Sequence, residues 1–301
     1  MNWKTSPATG IAVAVMTAAI VVLGLGCATA NKATRDQTLP NPFFAMDTGT
    51  RDATHKTPAE QVAMIKELGF AGIGPIYHGT DDLRQWFDAL DKARLKMFAL
   101  YVPLRLDAIE PSITSLKEVA AALKGRDTML WLYVTEKGRQ PSSADNDDAA
   151  VKALCDVAGI AREAGLCVAM YPHTGFYVAR VEDAARLAGK AGCKNLGVTF
   201  NLCHWLKVDG KDLDATLKAA KPHLFCVSIN GADADGKDWK VLIQPLDRGT
   251  YDVAQLLRRL AKMGYTGPIG LQHYGIKGDA YENLKHSMEG WRKLSAAAAK
   301  E

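Results

Sequence analysis

The amino-acid sequence predicts an α/β protein, a single closed (β/α)8 barrel. Eight short apolar runs typical of strands alternate along the chain with eight segments that carry helical signals. Eight strands within about 260 residues match the count and size of a closed barrel. No G-x-G-x-x-G or Walker pattern favours the alternative, an open doubly wound sheet.

Each predicted strand presents alternate side chains to its two faces. In the sixth strand Leu196, Val198 and Phe200 form the apolar face that meets the helices. Thr199 and Asn201 are therefore expected to point into the barrel, and the last inward residue of each strand lies at the carboxyl-terminal mouth. The predicted strands cover residues 43–47, 71–77, 96–102, 129–135, 167–171, 196–201, 224–230 and 268–272.

A helix is predicted after each strand. The first carries the clearest signals: Thr57 is suited to cap the N-terminus, Pro58 to occupy the first position and Glu60 the third, and Gly69 ends the helix. The remaining predicted helices cover residues 82–93, 112–123, 147–164, 180–191, 212–219, 252–263 and 281–294.

The first 30 residues are typical of an export signal, with Lys4 as their one charge and an apolar run over residues 11–25. That run is shorter than the ~20 residues that span a bilayer. Two processing alternatives stay open: cleavage after Ala30, or cleavage before Cys27, which would leave a cysteine able to carry a lipid. We expect an exported protein, periplasmic or attached to the membrane only through a lipid on Cys27.

After the signal, residues 31–40 are predicted to be a polar linker, 41–296 the barrel and 297–301 a short tail. The formal net charge is only +4, and Lys and Arg are interspersed with Asp and Glu, so no nucleic-acid partner is expected. The five cysteines other than Cys27 show no C-x-x-C pair or regular spacing. They predict apolar packing rather than a disulfide framework.

The alternation of faces places polar and aromatic residues around the barrel mouth. Aromatic rings with amide and hydroxyl groups suit a sugar, whose C–H faces stack on rings while its hydroxyls form hydrogen bonds, so a small-molecule carbohydrate is the expected partner. His273 is expected on the other side of its strand. The inward residues are Asp47, His78, Tyr101, Tyr133, Tyr171, Asn201, Ser228, Asn230 and Gln272, and the loops beyond them add His173, His204 and Arg248.

Four segments carry a resemblance to a known family: VAMYPH at 168–173, GVTFNLCHW at 197–205, IQPLDRGTYD at 243–252 and GYTGPIGLQHYG at 264–275. With them, residues 43–294 resemble the xylose isomerase-like TIM barrels, the sugar phosphate isomerase/epimerase group. The resemblance implies a (β/α)8 TIM barrel that acts on a carbohydrate.

In enzymes of that family a divalent metal is held by Glu, Asp, His and Glu on the fifth to eighth strands. The resemblance places Tyr171, Asn201, Ser228 or Asn230, and Gln272 at these positions, so all four ligands are replaced by neutral groups. Such groups bind a hard dication weakly. We therefore expect no metal ligands here and no cofactor.

The favoured hypothesis is an isomerase, epimerase or eliminating lyase that uses acid–base chemistry on a keto sugar. His173 and His204 are the candidate catalytic residues, since histidine exchanges protons near neutral pH. An enolate oxygen would accept hydrogen bonds from Asn201, Asn230 and Gln272. The other mouth residues, Asp47, His78, Tyr101, Tyr133, Tyr171 and Arg248, are expected to bind the substrate.

Two alternatives stay open at this stage. The first is a metal site rebuilt from His173, His204 and either His78 or His273, because three histidines with an open position form a catalytic zinc site. The second is a non-catalytic sugar-binding barrel that kept the pocket after its carboxylates were replaced.

Overall fold

The computed structural model describes residues 38–300. The predicted export signal, with both cleavage alternatives at Ala30 and Cys27, lies outside the described residues. Within residues 38–300, no helix combines the length and the apolar character needed to cross a membrane.

The described residues contain nine parallel strands in one sheet, ordered β3-β2-β1-β9-β8-β7-β6-β5-β4. β3 and β4 are two parts of one strand, separated by Phe98. The Phe98 N–H donates to the Ile73 carbonyl (2.8 Å), and its own carbonyl accepts from the Met129 N–H (3.0 Å), so the barrel closes at this residue. The strands are β1 (Phe43–Met46), β2 (Gly72–Gly74), β3 (Lys96–Met97), β4 (Ala99–Arg105), β5 (Met129–Thr135), β6 (Val168–Met170), β7 (Leu196–Asn201), β8 (Leu224–Ile229) and β9 (Ile269–Leu271).

The same part of the chain forms ten α-helices, eight of which surround the barrel. The first shows the predicted start and end: the Thr57 hydroxyl accepts from the Glu60 N–H, the Glu60 carboxylate accepts from the Thr57 N–H, and Gly69 takes a left-handed conformation with φ 89°. The helices are α1 (Pro58–Leu68), α2 (Thr80–Ala93), α3 (Ile109–Leu123), α4 (Asp147–Glu163), α5 (Val181–Ala191), α6 (Leu202–Lys207), α7 (Leu213–Ala220), α8 (Trp239–Leu242), α9 (Val253–Lys262) and α10 (Ala280–Ala299).

The closed parallel barrel confirms the predicted fold class, with three differences. The third predicted strand is interrupted at Phe98, where its pairing changes from β2 on one side to β5 on the other. The short helices α6 and α8 were not predicted, because each fits inside a loop and is too short for a 3.6-residue period to show. α10 runs to Ala299, so residues 297–299 of the predicted tail are helical.

The apolar core has two layers. Alternate strand residues such as Leu196, Val198 and Phe200 pack outward against the helices, as predicted. A smaller cluster fills the barrel interior, where the Phe44 ring stacks on Phe98 with ring centroids 5.0 Å apart. This interior layer closes the lower part of the barrel. A cavity opens at the carboxyl-terminal end of the barrel.

Thr199 shows that the predicted inward face of β7 is correct. Its hydroxyl accepts a hydrogen bond from the indole N–H of Trp131 across the barrel interior (2.5 Å). Gly270 leaves the space that the Phe44 ring occupies, since a Cβ there would lie 2.7 Å from that ring. The interior is therefore a packed core and not a channel.

Candidate active site

A cavity of about 820 Å³ opens at the carboxyl-terminal ends of the strands. Its volume lies within the range of about 300–1,000 Å³ that is typical of small-molecule sites. Seven of the eleven residues predicted for the site line it: Tyr101, Tyr133, Tyr171, His173, His204, Arg248 and Gln272. The other four, Asp47, His78, Asn201 and Asn230, do not.

Aromatic rings form the walls of the cavity. The Tyr101 and Tyr133 rings stack with centroids 4.4 Å apart, and Tyr171 meets Tyr101 edge-on at 5.0 Å. At the mouth, Trp239 and Tyr274 are 37% and 67% exposed, although large apolar side chains are mostly buried elsewhere in the described chain. Exposed rings at a concave site are suited to stack on the C–H face of a sugar.

His173 and His204 lie side by side in the cavity, with ring centroids 4.0 Å apart. The backbone of Thr174 determines which nitrogen carries the proton on each imidazole ring. Its carbonyl lies 3.0 Å from His173 Nδ1 and can only accept a hydrogen bond, so this nitrogen carries the proton, whereas the Thr174 N–H donates to His204 Nδ1 at 3.2 Å. In the neutral state His173 therefore carries a lone pair on Nε2, and His204 carries its proton on Nε2.

Burial keeps both rings neutral. It lowers the pKa of His173, and it lowers the pKa of His204 well below 6.5, with a further contribution from the neighbouring His173. Phe176 stacks on His173 with centroids 4.0 Å apart and holds its orientation. At neutral pH the pair offers one proton acceptor and one proton donor at adjacent positions.

Tyr171 and Gln272 form a second polar group in the cavity. The Gln272 amide N–H donates to the Tyr171 hydroxyl (3.2 Å), while its carbonyl oxygen accepts from the Thr48 hydroxyl (3.0 Å) and the Tyr274 N–H (2.9 Å). Burial raises the pKa of Tyr171 well above 10, so its hydroxyl keeps its proton at neutral pH. Tyr171 can then donate to an oxygen atom of a ligand.

Asp47, which the sequence placed at the mouth, does not line the cavity. Met46 lines the cavity instead, because β1 ends there and Asp47 begins a short 3-10 helix. One Asp47 carboxyl oxygen accepts from the Ile76 N–H (2.8 Å) and the other is buried without a partner. Burial raises the pKa of this carboxyl to about 6. His78 is exposed beyond the end of β2 and is not part of the cavity lining.

Asn201 and Asn230 point inward but are completely buried beneath the cavity surface. The Asn230 amide N–H groups donate to the carbonyls of Gly231 and Leu242, both at 2.7 Å, which fixes the loop after β8. The sequence had predicted that both amides stabilise an enolate oxygen, but neither of them lines the cavity. The Tyr171 hydroxyl takes their place in the cavity lining.

His273 faces away from the cavity, as expected from its strand. Its Nε2 lies 2.7 Å from the Ser287 hydroxyl in α10, and burial lowers its pKa to about 3. Residues 38–300 contain no group of three or more His, Cys, Asp or Glu side chains that could hold a metal ion. Neither His78 nor His273 joins His173 and His204 in the arrangement of a rebuilt site.

The residues at the metal-ligand positions implied by the resemblance do not suit a divalent cation. Tyr171 keeps its proton, and the Gln272 carbonyl oxygen already accepts two hydrogen bonds. The Asn201 carbonyl oxygen lies 3.2 Å from the Cys203 thiol. A hard cation prefers anionic oxygens, and this donor set supplies none.

Several residues of the cavity were not predicted from the sequence. Trp239 and Lys240 belong to α8, and Tyr274 and Lys277 follow β9. Asp238, whose carboxylate caps the Lys240 N–H at 2.8 Å, was the available signal for α8. Loop residues beyond the strand ends follow no face alternation, so the rule that identified the tyrosines could not identify them.

A closed parallel barrel with an aromatic cavity at its carboxyl-terminal mouth defines a TIM-barrel protein with a small-molecule site. A family model described as "Xylose isomerase-like TIM barrel" matches residues 62–294. The chain belongs to this family, which confirms the resemblance.

Solved structures with the same fold include several sugar-processing enzymes. The apo form of 3-keto-D-glucoside 4-epimerase from E. coli gives a TM-score of 0.67 at 17% identity, over 84% of this chain and 99% of that chain. L-ribulose 3-epimerase gives 0.70 at 13% identity, over 86% and 96%. A xylose isomerase-like TIM barrel protein from Mycobacterium smegmatis in complex with magnesium gives 0.65 at 16% identity, over 85% and 97%. Comparison with curated proteins finds no match.

Proposed function

We propose that this protein is a carbohydrate-active enzyme that enolises a keto sugar without a divalent metal, as the first step of an isomerisation or a β-elimination. The observation that carries the proposal is the pair of neutral histidines with opposite proton positions, His173 and His204. A carbonyl acidifies the neighbouring C–H, so a positioned base and a positioned acid are what the reaction needs.

In this mechanism His173 Nε2 takes the proton from the carbon next to the carbonyl. The electron pair moves toward the carbonyl oxygen, and an enolate forms. His204 Nε2–H then gives its proton to an adjacent oxygen: the former carbonyl oxygen in an isomerisation, or in an elimination the leaving oxygen as its bond to carbon breaks. The negative charge left on the His204 ring is balanced by the positive charge that His173 gained, so the pair stays neutral overall. Rings 4.0 Å apart reach neighbouring atoms on one face of a substrate, which favours these reactions over an epimerisation with bases on opposite faces.

The Tyr171 hydroxyl stabilises the enolate oxygen in this proposal. It accepts from Gln272 and keeps its own proton for donation, because burial raises its pKa. A preoriented donor of this type is worth about 100- to 1,000-fold in rate when it acts on a developing oxyanion.

The donor chemistry of the cavity supports a metal-free reaction. The neighbouring structures include enzymes named for sugar epimerisation at 13–17% identity, which supports a sugar as the ligand class. We also propose, from the signal-like residues 1–30, that the protein is exported and reaches the periplasm or is attached by a lipid on Cys27.

Deuterium exchange tests the proposal directly. The protein is incubated in D2O with a panel of 3-keto glycosides and ketohexoses, and mass spectrometry records the uptake of deuterium next to the carbonyl. We expect exchange with the wild type and a loss of about 100-fold or more with His173→Asn and with His204→Asn, the range for removal of a general acid or base. His286→Asn is the matched control, because His286 is exposed on α10 outside the cavity.

Unchanged deuterium exchange in a double variant that combines His173→Asn and His204→Asn would rule out the histidine mechanism. A second candidate function, a sugar-binding barrel without catalysis, draws on the exposed aromatic mouth at Trp239 and Tyr274. Calorimetry distinguishes the two: binding of panel sugars with no exchange over a long incubation would favour the binding protein.

A further inference from the structure

The charges around the cavity are all of one sign. Lys240, Arg248 and Lys277 line its mouth, and no Asp or Glu is among the described residues that line it. Lys240 and Arg248 follow β8, and Lys277 follows β9. The three cations therefore belong to the loops after two neighbouring strands of the barrel. The two histidines follow β6 and β7.

These three cations have no anionic partner in the part of the chain that the structure describes. Ion pairs elsewhere in residues 38–300 involve other side chains, such as Arg186 with Asp147 and Arg259 with Asp214. The hydrogen bonds of Lys240 and Lys277 involve their backbone N–H and carbonyl groups, which leaves both ammonium groups available. Three available cations beside a low-dielectric aromatic wall attract an anion.

We propose that the mouth residues Lys240, Arg248 and Lys277 bind the carboxylate of a sugar acid. The substrate would then be an anionic keto sugar, held by its charge near β8 and β9 while its carbonyl lies near the histidines. Arg248 can bind two oxygens of such a group together, and the lysines add charge. The role of the carbonyl rests on the proposed function, but the anion site does not.

Calorimetric titration tests the anion site without any need for turnover. The probes are glucuronate, glucose 6-phosphate and neutral glucose, each measured at low and at high salt. We expect glucuronate to bind about tenfold more tightly than glucose at low salt, with the difference reduced at high salt because exposed charges are screened. Tighter binding of glucose 6-phosphate than of glucuronate would overturn the carboxylate as the bound group.

A triple variant with Lys240→Gln, Arg248→Gln and Lys277→Gln should remove the preference, so that glucuronate binds to this variant no more tightly than glucose does. The matched control removes the same net charge from exposed helix positions outside the cavity, with Lys66→Gln, Lys117→Gln and Lys218→Gln. Equal affinity for glucose and glucuronate, no binding of glucuronate, or an equal loss in the control would each overturn the anion site.

The double variant His173→Asn and His204→Asn separates this inference from the proposed function. If it loses exchange but keeps the preference for anions, both proposals are supported. Wild-type protein that binds anions without any exchange would support the anion site alone. Exchange on neutral sugars with no preference for anions would support the proposed function alone.

Two cysteines lie close together on the outer layer of the barrel. Cys155 in α4 and Cys193 between α5 and β7 have Sγ atoms 3.4 Å apart, close to van der Waals contact. Both are partly exposed. The sequence had predicted apolar packing for these cysteines, because residues 38 positions apart show no pairing motif.

We propose that Cys155 and Cys193 form a disulfide by exchange with a low-molecular-weight disulfide. One thiolate of the pair attacks the small disulfide, forms a mixed disulfide and releases a small thiolate. The second thiolate attacks the mixed disulfide and releases the other small thiolate. The two protein thiols are oxidised, the small disulfide is reduced, and two protons leave with the exchange.

Thiol labelling of the full chain tests this disulfide. After equilibration with oxidised glutathione and unfolding without reductant, a maleimide mass tag should label two fewer thiols, and proteolysis should yield one linked peptide. Cys155→Ser should instead leave a glutathione adduct on Cys193, whereas Cys203→Ala, at a buried position, should keep the link. Full labelling of the wild type, or adducts on both cysteines without a link, would overturn the proposal.

Discussion

Two regions of the protein differ in whether their charged side chains are paired. One is the contact between α4 and α5, and the other is the mouth of the cavity. Asp147 and Asp183 are buried at that contact, and Arg186 pairs with both carboxylates at 2.9 Å. Lys190 adds a second pair to Asp147 at 2.7 Å. The mouth has cations but no carboxylate among its lining residues. Charge that is paired within the protein supports the fold, whereas charge left without a partner at a cavity is available to a ligand.

The largest effect is expected when the paired region is broken. Asp147→Ala leaves Arg186, Lys190 and the Tyr177 hydroxyl without their shared acceptor. We expect the free energy of unfolding to fall by about 3 kcal/mol, at the lower end of the values for a broken buried pair, because both cations keep partial access to water. Urea unfolding measures the loss. The exposed neighbour substitution Asp148→Ala should change stability by less than about 0.5 kcal/mol.

Tyr171→Phe is expected to have the next largest effect, and it acts on catalysis. Removal of the hydroxyl that donates to the enolate should lower the rate of deuterium exchange by about 100-fold, while the fold persists. Tyr251→Phe, outside the cavity lining, is the control. An exchange rate in Tyr171→Phe equal to that of the wild type would contradict the role of this hydroxyl.

His273→Gln tests a buried histidine that does not belong to the cavity. Burial lowers the pKa of His273 to about 3, so between pH 6.5 and 3 the unfolded state binds a proton that the folded state does not. Each unit of pH decrease in this range should lower the free energy of unfolding by about 1.4 kcal/mol for this residue. The slope of stability against pH should therefore be smaller in His273→Gln than in the wild type. Urea unfolding at pH 6.5, 5.5 and 4.5 measures both.

The smallest effect is expected from metals. Because the cavity offers no carboxylate ligand, Mn²⁺, Mg²⁺, Zn²⁺ or a chelator should shift the unfolding temperature of the protein by less than about 1 °C, as expected for ligands that do not bind the native state. Elemental analysis of the same samples should find no bound metal. About one equivalent of a metal that also stabilises the fold would contradict the metal-free reaction.

The sequence predicted the barrel well and the site in part. Strand alternation correctly predicted the tyrosines of the mouth, such as Tyr101 and Tyr133, because the period of two persists to the end of each strand. It failed at Asp47, where the chain leaves β1 and begins a 3-10 helix. It also gave Asn230 a chemical role, although neighbouring carbonyls occupy the amide N–H groups of that side chain.

The sequence by itself determined the eight strand–helix units and the caps of the first helix, because these depend on neighbours along the chain. Only the tertiary structure decided the proton positions on His173 and His204, since the Thr174 backbone that sets them reaches His204 across 30 residues. It also decided the contact between Cys155 and Cys193 and the single sign of charge at the mouth. These features arise where loops from separate strands meet, and no local period in the sequence encodes such contacts.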